Sequence, residues 1–195
     1  MNDRAPKPTA QLNCRFWGQW VALTSLGYLL SLFFIEVGER PDLGAIQGAI
    51  GGIAIGVMQA SILKQPLNFS WQWVLACAVG WGLLAGSGAG AIGWIAPRTE
   101  ILSIRFVSGL AFGEACGIVL GIVQWLVLRQ SVRAAWRWIC INPLCWAAGL
   151  SVGWTAGGLL RSRFHLFLAE VVGLGVSWAI VGATTGLALM KMMEE

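Results

Sequence analysis

Long apolar stretches alternate with short polar ones from residue 16 to residue 190. Six of them reach the roughly 20 helical residues needed to cross a hydrocarbon core of about 30 Å. They run from Phe16 to Ile35, Leu43 to Leu63, Trp71 to Ile95, Phe106 to Leu128, Trp138 to Leu160 and Leu166 to Met190. No polar segment between them is long enough to fold by itself. The pattern predicts an all-α membrane protein with six transmembrane helices in one domain, residues 16–190, between polar tails at 1–15 and 191–195. Residues 1–15 hold Pro6, Pro8 and several charges without an apolar core, and no small-residue cleavage site follows the first stretch. The first helix therefore reads as retained and not as a signal peptide.

The apolar stretches are related to one another. Gly44, Gly48, Gly52, Gly56 and Gln59 recur 65 residues later as Gly109, Gly113, Gly117, Gly121 and Gln124, and the last glycine pair returns as Gly182 and Gly186. The alignment of residues 44–93 with 109–158 has no gap, and it places Trp71, Trp73 and Trp81 on Trp136, Trp138 and Trp146. In the odd-numbered helices Trp20, Gly27 and Tyr28 match Trp73, Gly80 and Trp81, then Trp138, Cys145 and Trp146. A fixed period of this kind defines an architecture. The expected unit is a helix hairpin used three times, over approximately 16–64, 71–129 and 136–190. Each hairpin crosses twice, so successive copies enter from the same side and are related by an approximate threefold pseudo-symmetry axis along the membrane normal. Parallel repeats of this sort occur among transporters.

The glycines and glutamines share a face. Measured from Gly109, Gly113, Gly117 and Gly121 lie at about 40°, 80° and 120° around the helix, with Gln124 at about 60°. Small residues every four positions let helices approach closely in a bilayer, and an amide on that face can bond across the contact. Gly48, Gly52, Gly56, Gly113, Gly117, Gly121, Gly182 and Gly186 are thus expected helix-packing positions, with Gln59 and Gln124 as either interhelical ties or ligand contacts. In the third copy Leu189 stands at the glutamine position, so the amide's role is not expected there.

Composition narrows the chemistry. The chain is 57% hydrophobic and 11% charged, with a mean hydropathy of +0.71, too few ionisable groups to cover a water-soluble domain. The net charge of +4 fits arginines beside anionic headgroups and gives no reason to expect nucleic acid. Eight Lys and Arg residues fall on the side of the termini, among them Arg4, Lys7 and Lys64, against five on the other side, Arg40, Arg98, Arg105, Arg161 and Arg163. That bias favours cytoplasmic termini. There is one histidine, His165, and no zinc-protease, nucleotide-loop or paired-cysteine motif. Ser87 with His165 is the nearest approach to a catalytic dyad, and its flanking residues do not fit one. No enzyme activity and no metal are expected. Four of the five cysteines, Cys77, Cys116, Cys140 and Cys145, lie within spans as small packing residues, and Cys14 is a tail thiol.

Candidate functional positions are those that depart from the repeat or sit deep. Glu114 is the clearest intramembrane carboxylate, and its counterpart in the preceding copy is Ala49. Buried, it must be protonated, paired or beside a wet cavity. Asn142-Pro143 replaces Cys77-Ala78, frees a backbone carbonyl and kinks the fifth helix. Glu170 can reach an interface, Arg161 or Arg163. Trp17, Trp20, Trp71, Trp73, Trp94, Trp136 and Trp138 lie near span ends, where indoles anchor a helix at the headgroups. Trp81, Trp146, Trp154 and Trp178 lie deeper; they either fill space opposite glycine or, with Glu114, Gln59, Gln124 and Asn142, line a site.

The segment from Gly117 to Arg129, with Gln124-Trp125 after the glycines and Trp136 and Trp138 beyond, resembles a glycine/tryptophan repeat of uncharacterised multi-pass membrane proteins common in cyanobacteria and related bacteria. Residues of the second to fifth helices carry the likeness; Lys64 and Ala60 depart from it in the first copy. The resemblance implies a bacterial inner membrane or thylakoid and no activity. Two functions remain open. One is a non-catalytic accessory or assembly protein packed against other membrane proteins or itself and surrounded by membrane lipids, holding lipid, chlorophyll or carotenoid between its helices. The other is a small solute transporter or channel with Glu114 at the pathway.

Overall fold

Glycines lying against the backbone of a neighbouring helix set the closest approaches among the described residues. The computed structural model describes residues 10–37, 43–67, 70–89 and 91–194; the tail before residue 10, Arg40 and Gly90 lie outside them. All regular structure among these residues is helical: α1 (Ala10–Ser31), α2 (Ala45–Leu67), α3 (Ser70–Leu84), α4 (Leu102–Leu128), α5 (Arg137–Phe164) and α6 (Leu168–Glu194). Four of the six helices, α2 over Ala45–Leu63 and α4, α5 and α6 over their whole lengths, are long and apolar enough to cross a membrane. They mark the chain as a membrane protein.

Each helix packs chiefly on its neighbours in sequence, and α6 closes against α1. The glycine faces make three of these contacts. A Cβ on Gly48 would lie 2.5 Å from Trp81 O, and one on Gly56 would lie 3.0 Å from Val74 Cα, so α2 presses on α3. A Cβ on Gly113 would lie 2.5 Å from Ala147 Cα and from Trp146 O, while Gly52 meets Cys77 and Gly117 meets Pro143 at least as closely. Gly121 approaches Ile139 and Asn142, which extends the α4 to α5 contact. Gly182 faces Val21 and Thr24, and Gly186 faces Trp20, so α6 lies on α1. Dispersion between closely packed backbones replaces the hydrophobic effect as the force joining helices in lipid. Tight contacts therefore join α2 to α3, α4 to α5 and α6 to α1 across the hairpin boundaries drawn from the sequence, and Gly153 and Gly173 make an equally close contact between α5 and α6 within the third hairpin.

The third apolar stretch is not one helix. Its α-helix stops at Leu84, followed by a wide turn over Ala85–Ala89 in which Gly88 has φ 85°, and then a 3₁₀ turn over Ile92–Trp94. Gly86 and Gly88 explain the break, since glycine gives the helix no side chain to pack and alone enters the left-handed region without steric cost. This non-helical segment folds inward: Ala91, Ile92, Trp94 and Ala96 are all buried. Irregular backbone within a membrane protein is tolerated where protein covers it. By contrast, α5 continues as one helix through Pro143.

Candidate functional site

Successive residues four apart on the odd helices face the bundle axis and build it in layers. On α1 they are Trp20, Thr24 and Tyr28; on α3, Trp73, Cys77 and Trp81; on α5, Trp138, Asn142 and Trp146. All nine are buried. At the end holding the termini, Trp20 and Trp73 rings lie 6.0 Å apart and Trp73 and Trp138 rings 6.3 Å apart, edge to face.

Each indole of this layer donates to the even helix that packs on it. Trp73 Nε1 donates to Gln59 Oε1 at 3.0 Å and Trp138 Nε1 to Gln124 Oε1 at 2.9 Å. Trp20 Nε1 donates to Thr185 Oγ1 at 3.1 Å. The amides then reach the next layer: Gln59 Nε2 donates to Thr24 Oγ1 at 3.0 Å and Gln124 Nε2 to Cys77 Sγ at 3.5 Å. Asn142 Nδ2 also donates to Gln124 Oε1, at 3.0 Å. Asn142 Oδ1 is buried and accepts no hydrogen bond among the described residues. A cavity of about 20 Å³ lies here, lined by Gln59, Cys77, Gln124, Asn142 and Thr185 together with the surrounding tryptophans. That is enough for one water molecule, for which roughly 10–15 Å³ suffices.

Toward the opposite end the axis is filled by rings. Trp81 packs on Trp94 at 4.7 Å, on Trp146 at 5.3 Å and on Trp178 at 5.5 Å, and Tyr28 stacks on Trp178 at 5.9 Å. Trp94, brought in by the 3₁₀ turn, donates to Ser31 Oγ at 2.7 Å, and Trp178 donates to Gly93 O at 3.0 Å. Indole N–H groups in a core need such partners.

The structure thus brings together Gln59, Gln124, Asn142, Trp81, Trp146 and Trp178. It does not bring Glu114 to them. Glu114 is exposed near the middle of α4, on an outward surface with Val107, Leu110 and Ile118. Among the expected membrane anchors, Trp71 and Trp136 are exposed, whereas Trp20, Trp73, Trp94 and Trp138 are core residues. Trp17 is half-buried and donates to Ala183 O at 2.9 Å. Of the cysteines within spans, Cys77, Cys116 and Cys145 are buried and Cys140 is exposed; all are free thiols.

Sequence reasoning missed a buried ion pair. Arg105, 1% exposed, meets Glu170, 2% exposed, through Nη2 to Oε1 at 2.7 Å and Nη1 to Oε2 at 2.8 Å. Its remaining N–H groups donate to Thr99 O at 2.6 Å, Pro97 O at 3.0 Å and Trp154 O at 3.1 Å. All five guanidinium donors are then used. Arg161, an expected partner of Glu170, adds a contact at 3.4 Å. Gly158 leaves room for the arginine, since a Cβ there would lie 2.7 Å from Arg105 Nε. The pair fastens the connector before α4 to the start of α6. A signal for it existed: Arg105 and Glu170 are 65 residues apart, the repeat offset, so opposite charges occupy equivalent positions in successive copies.

A groove of about 420 Å³ opens beside this connector, lined by Gly88, Ile92 and the run from Ile95 to Thr99, Arg98 included, on one wall and by Ser108, Phe112 and Trp154 on the other. No family model, curated protein or solved structure matches the chain.

Proposed function

We propose that this chain is a non-catalytic accessory or assembly protein of a bacterial inner or thylakoid membrane, with both termini cytoplasmic. In this reading all six helices cross the bilayer as three repeated hairpins with approximate threefold pseudo-symmetry, and the outer face of α4 docks on another membrane protein. The observation that carries the proposal is the exposure of Glu114. It lies twelve residues into α4, about 18 Å from the start of that helix, amid exposed Val107, Leu110 and Ile118. A carboxyl group at that depth facing lipid is costly, and intramembrane ionisable residues face protein or water. A partner helix presenting a cation or hydrogen-bond donor at matching depth satisfies it.

The test is affinity purification of the full chain from native membranes in mild detergent. Wild type is expected to bring a stoichiometric membrane partner, and Glu114→Leu to lose it while melting at an unchanged temperature. A bare protein from wild type sinks the proposal.

The transport reading draws less support. Its motive was Glu114 beside a pathway, yet Glu114 lies outside the bundle while tryptophan rings fill the axis. Solute uptake by reconstituted vesicles that Glu114→Gln abolishes would restore it.

A further inference from the structure

Glu114 lies about midway along α4 and makes no hydrogen bond or ion pair among the described residues. At 100° per residue, Val107, Ile118 and Ala111 lie about 20°, 40° and 60° to one side of it and Leu110 about 40° to the other. All four are exposed. The carboxyl group is thus set within an outward apolar strip. Ala111 and Ala115, both exposed, keep that strip low beside it, and small residues four apart let two helices in lipid approach closely.

The chemistry of the strip selects its occupant. A protonated carboxyl group both donates and accepts, whereas an ionised one only accepts, so two carboxyl groups that hold at least one proton between them satisfy each other. A foreign helix would have to bring its own polar group to this depth, with the cost that such a group carries in lipid. A second copy of this chain, inserted in the same orientation, meets the requirement without further adjustment. A twofold axis along the membrane normal sets every residue at the height of its own counterpart, and twofold pairing of one face with itself is the commonest symmetry among oligomers. Every other charged residue of the six helices lies close to a helix end, so no other face of a second copy offers Glu114 a charged partner at its depth.

We propose that this chain pairs with a second copy of itself through the outer face of α4, with Ala111 and Ala115 at the closest approach and Glu114 hydrogen-bonded to Glu114 of the partner subunit across the twofold axis. The O–H of one carboxyl group donates to an oxygen of the other, and both leave the lipid. The inference rests on the reading of this surface as a docking face and names what docks there.

The experiment measures fluorescence energy transfer between donor-labelled and acceptor-labelled full chains in phosphatidylcholine vesicles, diluted stepwise with lipid. Transfer in wild type should fall along a monomer–dimer curve. Glu114→Leu should weaken association about tenfold. Glu114→Gln, whose amide also donates and accepts, should stay within about twofold of wild type. Ala111→Trp should hold the helices apart and weaken association at least as much as Glu114→Leu, while Val172→Trp, at an exposed position of α6, should leave it unchanged. Melting temperature in detergent checks the fold of each variant. A dimer that Glu114→Leu leaves intact, or that Glu114→Gln loses as fully as Glu114→Leu, overturns the proposal. Transfer absent at every dilution overturns it too, and capture of the tagged chain from native membranes then separates the two readings: a stoichiometric foreign protein keeps the docking face, and a bare chain removes it as well.

Discussion

Thr185 accepts the Trp20 indole N–H at 3.1 Å, the service that Gln59 and Gln124 perform for Trp73 and Trp138. The residue aligned with those glutamines is Leu189, one turn further on. The hydroxyl substitutes for the first half of the amide's role only. It accepts the indole hydrogen bond and donates to its own helix at Val181 O, and it sends nothing toward the Thr24, Cys77 and Asn142 layer. Asn142 Oδ1, which would receive that bond, is the acceptor without a partner.

The layer makes an asymmetric prediction. Asn142→Cys copies Cys77 and removes the orphaned acceptor, so it should change unfolding free energy in detergent by less than about 1 kcal/mol. Gln124→Leu strands both Trp138 and Asn142 and should cost about 2–6 kcal/mol, from two buried donors at about 1–3 kcal/mol each. A single water in the cavity, bridging Asn142 Oδ1 and Thr185, should appear in a high-resolution experimental map. Equal costs for the two variants would contradict this account.

Glycine substitutions should separate by face. Gly113→Ala puts a methyl 2.5 Å from Trp146 O, backbone that cannot swing aside, and should cost about 1–3 kcal/mol as overpacking. Gly18→Ala meets nothing within 4 Å and should be neutral or stabilising by up to about 1 kcal/mol. Thermal melting of the two in one detergent decides it.

The Arg105 and Glu170 pair should behave as a unit. Removing either partner leaves a buried charge, so Arg105→Met or Glu170→Met alone should cost about 3–5 kcal/mol. The double variant should recover part of that loss, because no charge is left buried, but not all of it, because the carbonyls of Pro97, Thr99 and Trp154 still lose their donor. A double-mutant cycle with near-additive losses would show that the two residues are not coupled.

Trp94→Ala should release the connector. Deleting a fully buried tryptophan costs about 3–5 kcal/mol, and here the loss also removes the hydrogen bond to Ser31 Oγ and opens the ring cluster around Trp81. Amide exchange should accelerate over residues 85–101 more than in α5 or α6. Uniform acceleration would mean that the connector has no stability of its own to lose.

What could be read from the chain itself was whatever repeats. The glycine spacing located the faces that α2, α4 and α6 turn to their partners, and the angle of Gln124 placed its amide on the contact with α5, where it binds Trp138. Alignment matched positions but not roles, which is why Leu189 hid the part played by Thr185. Trp94 stood at the end of an apolar run and looked like an anchor, because hydropathy does not register that Gly86 and Gly88 end a helix inside such a run. The direction of a lone side chain was equally hidden: Glu114 breaks the repeat at the edge of a packing face, and only the placement of α5 decides that this edge looks outward. Arg105 and Glu170 were each visible as charges near span ends; their union depends on a connector folding inward.

The shortness of α3 makes its connector depend on later helices. Fifteen residues rise about 22 Å, short of the roughly 30 Å that a helix leaving the insertion machinery alone must cover. Beyond Leu84 the chain turns inward and Trp94 enters a ring cluster with Trp81 and Trp178, which Trp146 joins. The connector after α3 can therefore take its buried place only where α5 and α6 are packed beside it, since Trp146 and Trp178 belong to the ring cluster that Trp94 and Trp81 enter.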